Sequence, residues 1–166
     1  NQRRRECEQA LAHCREVWPA LRHLAELSTD DLRVVEARLP PVPAARTRHV
    51  VTETLRTRLA ADALARGDHR QLGWLLVQGH ESLRANYGST IPEADAIVEL
   101  AVEQGAYGAR LTGAGWGGAV VVLAPEDQSA RIVAEVTRGF QERFGRDPAA
   151  WSTRAGAGAR RETLTG

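Results

Sequence analysis

Gly113, Gly115, Gly117 and Gly118 crowd into the stretch Thr112-Gly113-Ala114-Gly115-Trp116-Gly117-Gly118, whose composition and spacing point most directly to chemistry. Glycine lets the backbone take positive φ and lets a ligand approach main-chain N–H groups with no Cβ in the way, so such a loop can hold phosphate oxygens. Gly113, Gly115 and Gly118 satisfy the pattern G-x-G-x-x-G, but a dinucleotide site requires a helix directly after the loop. The loop instead runs into Ala119-Val120-Val121-Val122-Leu123, a continuous β-branched run that predicts a buried strand. A Rossmann site is disfavoured on that ground. Two readings stay open for the loop alone: a turn that faces phosphate, and a glycine-rich hairpin that only turns tightly.

Other polar residues have plainer readings beside their chemical ones. His49 and Glu53 share a helix face and could pair or hold a metal, but no second ligand pair supports a metal and a surface or interface pair is expected. His80, Ser82 and Asp95 superficially suggest a nucleophilic triad, yet no strained G-x-S-x-G elbow is present. His80, Ser82 and Tyr87 are expected to fix a helix end and the following loop by hydrogen bonds. Glu93 reads as a cap and Asp95 as a first-turn acid favoured by the helix dipole. The Arg3-Arg4-Arg5 run could steer an anion, although a solvated or interdomain face is the simpler reading. No residue of the chain is assigned a catalytic or metal-ligating role.

The elements that must position the loop are punctuated clearly. Cys7, Leu11, Cys14 and Trp18 recur at helical spacing and Pro19 closes that segment. Ser28-Thr29-Asp30-Asp31 resembles a capping sequence for a short helix toward Leu39, after which Pro40, Pro41 and Pro43 force a break. A helix is expected from about Ala45 to Arg66, ended by Gly67-Asp68, and Leu72, Leu75, Leu76, Gly79 and Leu83 mark another. Thr90-Ile91-Pro92-Glu93 offers a cap, an early proline and a reciprocal carboxylate for a helix ending near Gln104 and stopped by Gly105. Glu126 to Phe144 reads as a helix with Ile132, Val133, Val136 and Phe140 inward, succeeded by weak strands at Trp151–Arg154 and Ala159–Arg161. This order predicts an α+β domain: an antiparallel sheet with helices packed mainly on one face.

Composition narrows the class. The 166 residues suffice for one domain with a sizeable core, and a net charge of +1 with interspersed acids and arginines gives no field for nucleic acid or an anionic membrane. No apolar run approaches the ~20 residues of a membrane span and no signal-like segment opens the chain. Cys7 and Cys14 lie about 10 Å apart along one helix, too far for a disulfide, and read as buried thiols of a reducing, cytoplasmic protein. A Walker phosphate loop is excluded because the chain has no lysine.

The stretch Gly108–Leu123 resembles the third motif of the GHMP small-molecule kinase superfamily, and three other segments resemble galactokinases within it. These are Arg3-Arg4-Arg5-Glu6-Cys7, Arg46-Thr47-Arg48-His49-Val50-Val51-Thr52-Glu53, and the series Gly79-His80-Glu81-Ser82-Leu83-Arg84, Tyr87 and Ser89-Thr90-Ile91-Pro92-Glu93-Ala94-Asp95. Departures are small: Ala114 where Gly is frequent, Trp116 for Phe, Gly79 for Ser and Ala119 for Cys. The resemblance implies a GHMP-kinase C-terminal-domain fold over residues 1–166, with the N-terminal ATP- and sugar-binding half lying outside the chain. It also implies the partners: that N-terminal half, with ATP and a small-molecule sugar between the two. Thr112, Gly113, Ala114, Gly115, Trp116, Gly117 and Gly118 would face the nucleotide, while ATP and Mg²⁺ would be held mainly by the other half. The implied reaction is transfer of the ATP γ-phosphoryl group to the anomeric hydroxyl of galactose, by the two halves together and not by this chain alone. A related arabinose or N-acetylgalactosamine kinase, or a non-catalytic galactokinase-like sensor, would read similarly. Beginning at Asn1 and lacking methionine, the chain is expected to be part of a longer protein.

Overall fold

The computed structural model describes residues 2–156 and 158. Among the described residues six α-helices and one β-hairpin occur in the order α1 (Gln2–Val17), α2 (Leu32–Arg38), α3 (Pro41–Ala65), α4 (His69–Ser82), α5 (Pro92–Glu103), β1 (Gly108–Thr112), β2 (Ala119–Leu123) and α6 (Ser129–Phe144). This is the helix-rich α+β arrangement expected, with its sheet reduced to two antiparallel strands in which Thr112 faces Ala119 and Gly108 faces Leu123.

Local chemistry sets most boundaries. Before α2, the Ser28 backbone N–H donates to Asp31 at 2.8 Å and the Ser28 hydroxyl donates to the same oxygen at 2.7 Å, holding the turn that leads into the helix. Asp68 caps α4 by accepting from the Gln71 N–H at 3.0 Å. Gly145, at φ +68°, terminates α6 in a left-handed turn. The proline cluster acts otherwise than expected: α2 does end before it, but Pro41 and Pro43 sit inside the first turn of α3, where no intrahelical donor is required of them. Helix α3 therefore begins four residues before Ala45.

Two apolar cores form. Ala10, Cys14, Leu21, Leu24, Val35 and Val51 join α1, α2 and α3 in one. Val98, Ala101, Ala109, Ile132, Val136 and Phe140 join α5, α6 and β1 in the other, with Val120 of β2 packed against it. Helix α4 bridges them, and its approach to β1 depends on two glycines. A Cβ on Gly73 would lie 2.1 Å from the Tyr107 carbonyl oxygen, and one on Gly108 would lie 1.9 Å from that of Gly73. Neither position has room for a side chain.

Three expectations fail here. Strand β2 exists but is not buried: Ala119, Val121 and Val122 are exposed, because β2 is the outer strand of a two-stranded sheet and only Val120 and Leu123 are partly covered. Trp151–Arg154 is irregular, with Arg154 ion-paired to Glu126, and the strand expected at Ala159–Arg161 lies outside the described residues. Thr90 does not cap α5. Ile91 holds that position without a side-chain hydrogen bond, and Glu93 turns outward to pair with Arg146 at 3.2 Å. Cys7 and Cys14 are both free, Cys14 buried and Cys7 partly so.

Candidate functional site

The glycine loop connects β1 to β2 and stands out of the fold. Its backbone runs through φ +87° at Gly113, +88° at Gly115, +55° at Trp116, +126° at Gly117 and +102° at Gly118. Only glycine takes such values without strain, so Trp116 is held in a left-handed conformation at some cost. Thr112, Gly113, Ala114, Trp116 and Gly118 are exposed, and Gly115 and Gly117 half-buried. The loop expected from sequence is thus assembled, with five of the seven residues 112–118 exposed and Gly115 and Gly117 turned partly inward.

One contact pins its tip. The Trp116 N–H donates to the Ser89 carbonyl at 2.7 Å, the one backbone hydrogen bond found within 113–118 among the described residues. A Cβ on Gly115 would fall 2.6 Å from the same oxygen, so the loop backbone lies directly on the segment that precedes α5. Gly113, in contrast, has nothing within 4 Å of where its Cβ would be. Glycine at 115 serves packing; at 113 it serves conformation and open access.

A belt of polar side chains lies beneath the loop, between the two cores. His80 is buried on α4, and its Nδ1 accepts the Leu111 N–H at 3.2 Å while its Nε2 donates to Asp95 Oδ1 at 3.0 Å. A ring nitrogen that accepts a backbone N–H carries no proton, which fixes the neutral Nε2–H tautomer. Burial pushes the His80 imidazole below its usual range, and this outweighs the opposing pull of Asp95.

Ser82, the third member of the superficial triad, belongs elsewhere. Its hydroxyl meets His49 Nδ1 at 3.0 Å and accepts from Asn86 Nδ2 at 3.3 Å. No Ser–His–Asp relay forms. His49 is buried and stacks on Tyr87 with ring centroids 4.5 Å apart, in place of the surface or interface pair with Glu53 that the spacing suggested. Burial lowers its pKa to about 4. Glu53 pairs instead with Arg56 and with Arg110 of β1, the latter at 2.7 Å. Among the described residues no group of three or more His, Cys, Asp or Glu side chains could hold a metal.

The arginine run at the start of α1 is largely neutralised. Arg3 pairs with Glu6 and donates to the Gly88 carbonyl at 3.1 Å, and Arg4 pairs with Glu8. Glu6 also receives Arg46 at 2.6 Å. Burial alone would raise the Glu6 pKa, but the Arg46 and Arg3 hydrogen bonds outweigh it and bring it to about 2. These contacts tie α1 and α3 to the π-helical turn Leu83–Tyr87 that extends α4.

The glycine loop, the hairpin and the helices around them carry a family signature. A model described as "GHMP kinases C terminal" matches residues 60–142, the segment from the end of α3 to the end of α6. The chain belongs to this family. Similarity to whole GHMP kinases extends further: it is 40% identical over 159 residues to a galactokinase of Chloroflexus aggregans and 36% identical over 162 residues to one of a Roseiflexus species. Those alignments take in 95% and 97% of this chain but 41% of each relative. A crystal structure of Lactococcus lactis galactokinase complexed with galactose superposes with a TM-score of 0.83 at 32% identity, covering 89% of this chain and 38% of that one. A mevalonate kinase from L. major, crystallised with R-mevalonate, gives a TM-score of 0.54 at 28% identity, covering 71% of this GHMP chain and 35% of its own.

Sequence reasoning found every loop residue but missed what seats them. Ser89 carries no local signal of its role, because its contact with Trp116 spans a helix and a strand. Gly73 could have been singled out as a glycine inside an otherwise good helix, which marks a close approach.

Proposed function

We propose that this chain is the C-terminal half of a galactokinase, and that its glycine loop forms one wall of the nucleotide site. The observation that carries the reading is the coincidence of two facts: similarity to galactokinases along nearly the whole chain, and an exposed loop of left-handed glycines inside the family's matched segment. In that protein the γ-phosphoryl group of ATP would pass to the anomeric hydroxyl of galactose. Phosphoryl transfer asks the protein mainly for position and electrostatic stabilisation. The loop's share would be main-chain N–H dipoles and a surface without Cβ atoms, set against the phosphates or against the phosphate-binding segment of the other half. Mg²⁺, held mainly by the other half, would supply charge to offset that developing on the transferred phosphoryl group.

The N-terminal half of the same protein is then the principal partner, with ATP and sugar between the two. Exposed apolar side chains at Trp116, 54% accessible, and Val121, 47% accessible, suit a surface that another domain covers. The free thiols accord with a reducing cytoplasm, and no described helix is long and apolar enough to cross a membrane.

Gly113→Ala and Gly145→Ala test the reading as a matched pair. Both residues have positive φ and open space where a Cβ would go, so both substitutions cost similar backbone strain, about 1–2 kcal/mol. In the full-length enzyme we expect comparable falls in thermal midpoint, with kcat/KM for ATP reduced about tenfold or more by Gly113→Ala alone. Equal ATP kinetics in the two variants would reduce the loop to a structural hairpin.

A further inference from the structure

The contacts around His80 close into a ring. Starting at His80 on α4, Nδ1 holds the N–H of Leu111, two residues before Gly113. The chain then passes through the glycine loop to Trp116, whose N–H is held by the Ser89 carbonyl at 2.7 Å. Thr90, the next residue, donates its hydroxyl to Asp95 Oδ2 at 3.3 Å, and Asp95 Oδ1 returns to His80 Nε2 at 3.0 Å. Every link joins a different pair of elements: α4 to β1, the loop to the segment before α5, and that segment to the first turn of α5 and back to α4. We infer that His80 and Asp95 are positioning residues for the glycine loop, one clamping the strand that leads into it and the other fixing the segment on which its tip rests. This inference rests on the reading of the loop as a wall of the nucleotide site.

The chemistry requires these side chains. Strand β1 pairs with β2 on one edge, and the Leu111 N–H points away from that edge, where a strand amide left without an acceptor would be costly. An imidazole can accept that N–H on one nitrogen while donating from the other, a through-ring link that no aliphatic or carboxylate side chain supplies. Burial favours the neutral form needed for it. Asp95 must accept twice, from His80 and from Thr90, and an ionised carboxylate has the lone pairs to do so. His80 is enclosed: it is 5% exposed, and Gly79 beside it lies so close to Arg110 that a Cβ would meet the guanidinium at 2.7 Å.

The experiment uses the full-length kinase that carries this chain, comparing His80→Phe, which keeps a ring but loses both hydrogen bonds, with His80→Gln, which restores one acceptor and one donor. Amide hydrogen exchange and steady-state kinetics are measured on the same samples. Loss of the clamp should speed exchange at Gly113–Gly118 about five- to tenfold, the scale of one net hydrogen bond, while α1 and α3 stay unchanged. It should lower kcat/KM for ATP by about tenfold to a hundredfold, as a displacement near 1 Å can, and leave KM for galactose within about twofold. His80→Gln should recover most of both effects, a rescue that a merely space-filling role would not give. Should His80→Phe fail to fold, Asp95→Ala carries the test, since that side chain is one-third exposed and its removal opens the same ring. Loop exchange unchanged in a folded His80→Phe or Asp95→Ala variant overturns the inference. Faster loop exchange with unaltered ATP kinetics upholds the positioning role and overturns the nucleotide reading instead.

Discussion

Two regions of this chain are built on glycine, and they use it in opposite ways. At the crossing of α4 and β1, Gly73 and Gly108 bring two backbones together so tightly that any Cβ would collide with main-chain atoms. At the turn between β1 and β2, only Gly115 packs this way, against Ser89; Gly113 has open space where a Cβ would go, Gly117 and Gly118 would make only ordinary contacts there, and these three differ from other residues chiefly in their φ. The first region removes side chains so that the protein can touch itself. In the second, conformation is demanded and contact is largely absent, as suits backbone presented to something outside the chain. Glycine content alone does not reveal function; what would replace the missing side chain does.

The largest expected effect lies at the closed crossing. Alanine in a helix would ordinarily gain about 1 kcal/mol over glycine, but at Gly73 the collision is with the rigid Tyr107 carbonyl and overrides that gain. Gly73→Ala should destabilise by at least the ~1–3 kcal/mol typical of overpacking, and Gly108→Ala should do the same. For a chain of this size each kcal/mol lowers the thermal midpoint by about 2–4 °C. A Gly73→Ala variant as stable as the parent in a calorimetric melt would break the contrast between the two regions.

Acid should act next, and only on the interior. His49 has a folded pKa of about 4 against an unfolded value of 6.5, so the unfolded chain takes up a proton first as pH falls. Stability is complete above pH 6.5 and declines toward pH 4, by roughly 3 kcal/mol for so buried a group. His80 shifts in the same direction. Glu6 adds a second decline, from its ordinary 4.5 down to its folded value of about 2, because protonation there releases Arg46 and Arg3. Denaturant midpoints recorded between pH 7 and pH 4 should fall, and His49→Gln should flatten that part of the curve. A pH-independent midpoint over this range would mean that His49 is not buried as a neutral ring.

A smaller effect is expected at the exposed strand β2. Val121→Thr removes apolar surface from a residue already 47% accessible, so stability should change by no more than the ~0.5 kcal/mol typical of a surface change, a shift of the thermal midpoint of about 1–2 °C. A large loss of stability would show that β2 is covered after all.

Much of this fold was legible because helix punctuation is local. Ser28 with Asp31, Asp68, Pro92 and Gly145 each act within a few residues of themselves, and the helices they bound fell close to expectation. Prolines 41 and 43 misled because proline stops a helix from within yet opens one at its first turn, and the difference depends on what precedes it. The β-branched run of β2 suggested burial, since apolarity in sequence cannot say whether a second sheet edge exists to cover it. The glycine loop was found by composition alone. Its seat on Ser89, the tautomer of His80 and the burial of His49 were not, because each is decided by residues distant in sequence that meet only after packing.

Whether the loop Gly113–Gly118 faces the nucleotide is decided by amide hydrogen exchange of the full-length protein with and without a non-hydrolysable ATP analogue. Exchange at Gly113–Gly118 should slow on addition of the analogue, with no change in α1 or α2. Protection absent from the loop, or produced by galactose without nucleotide, would contradict it.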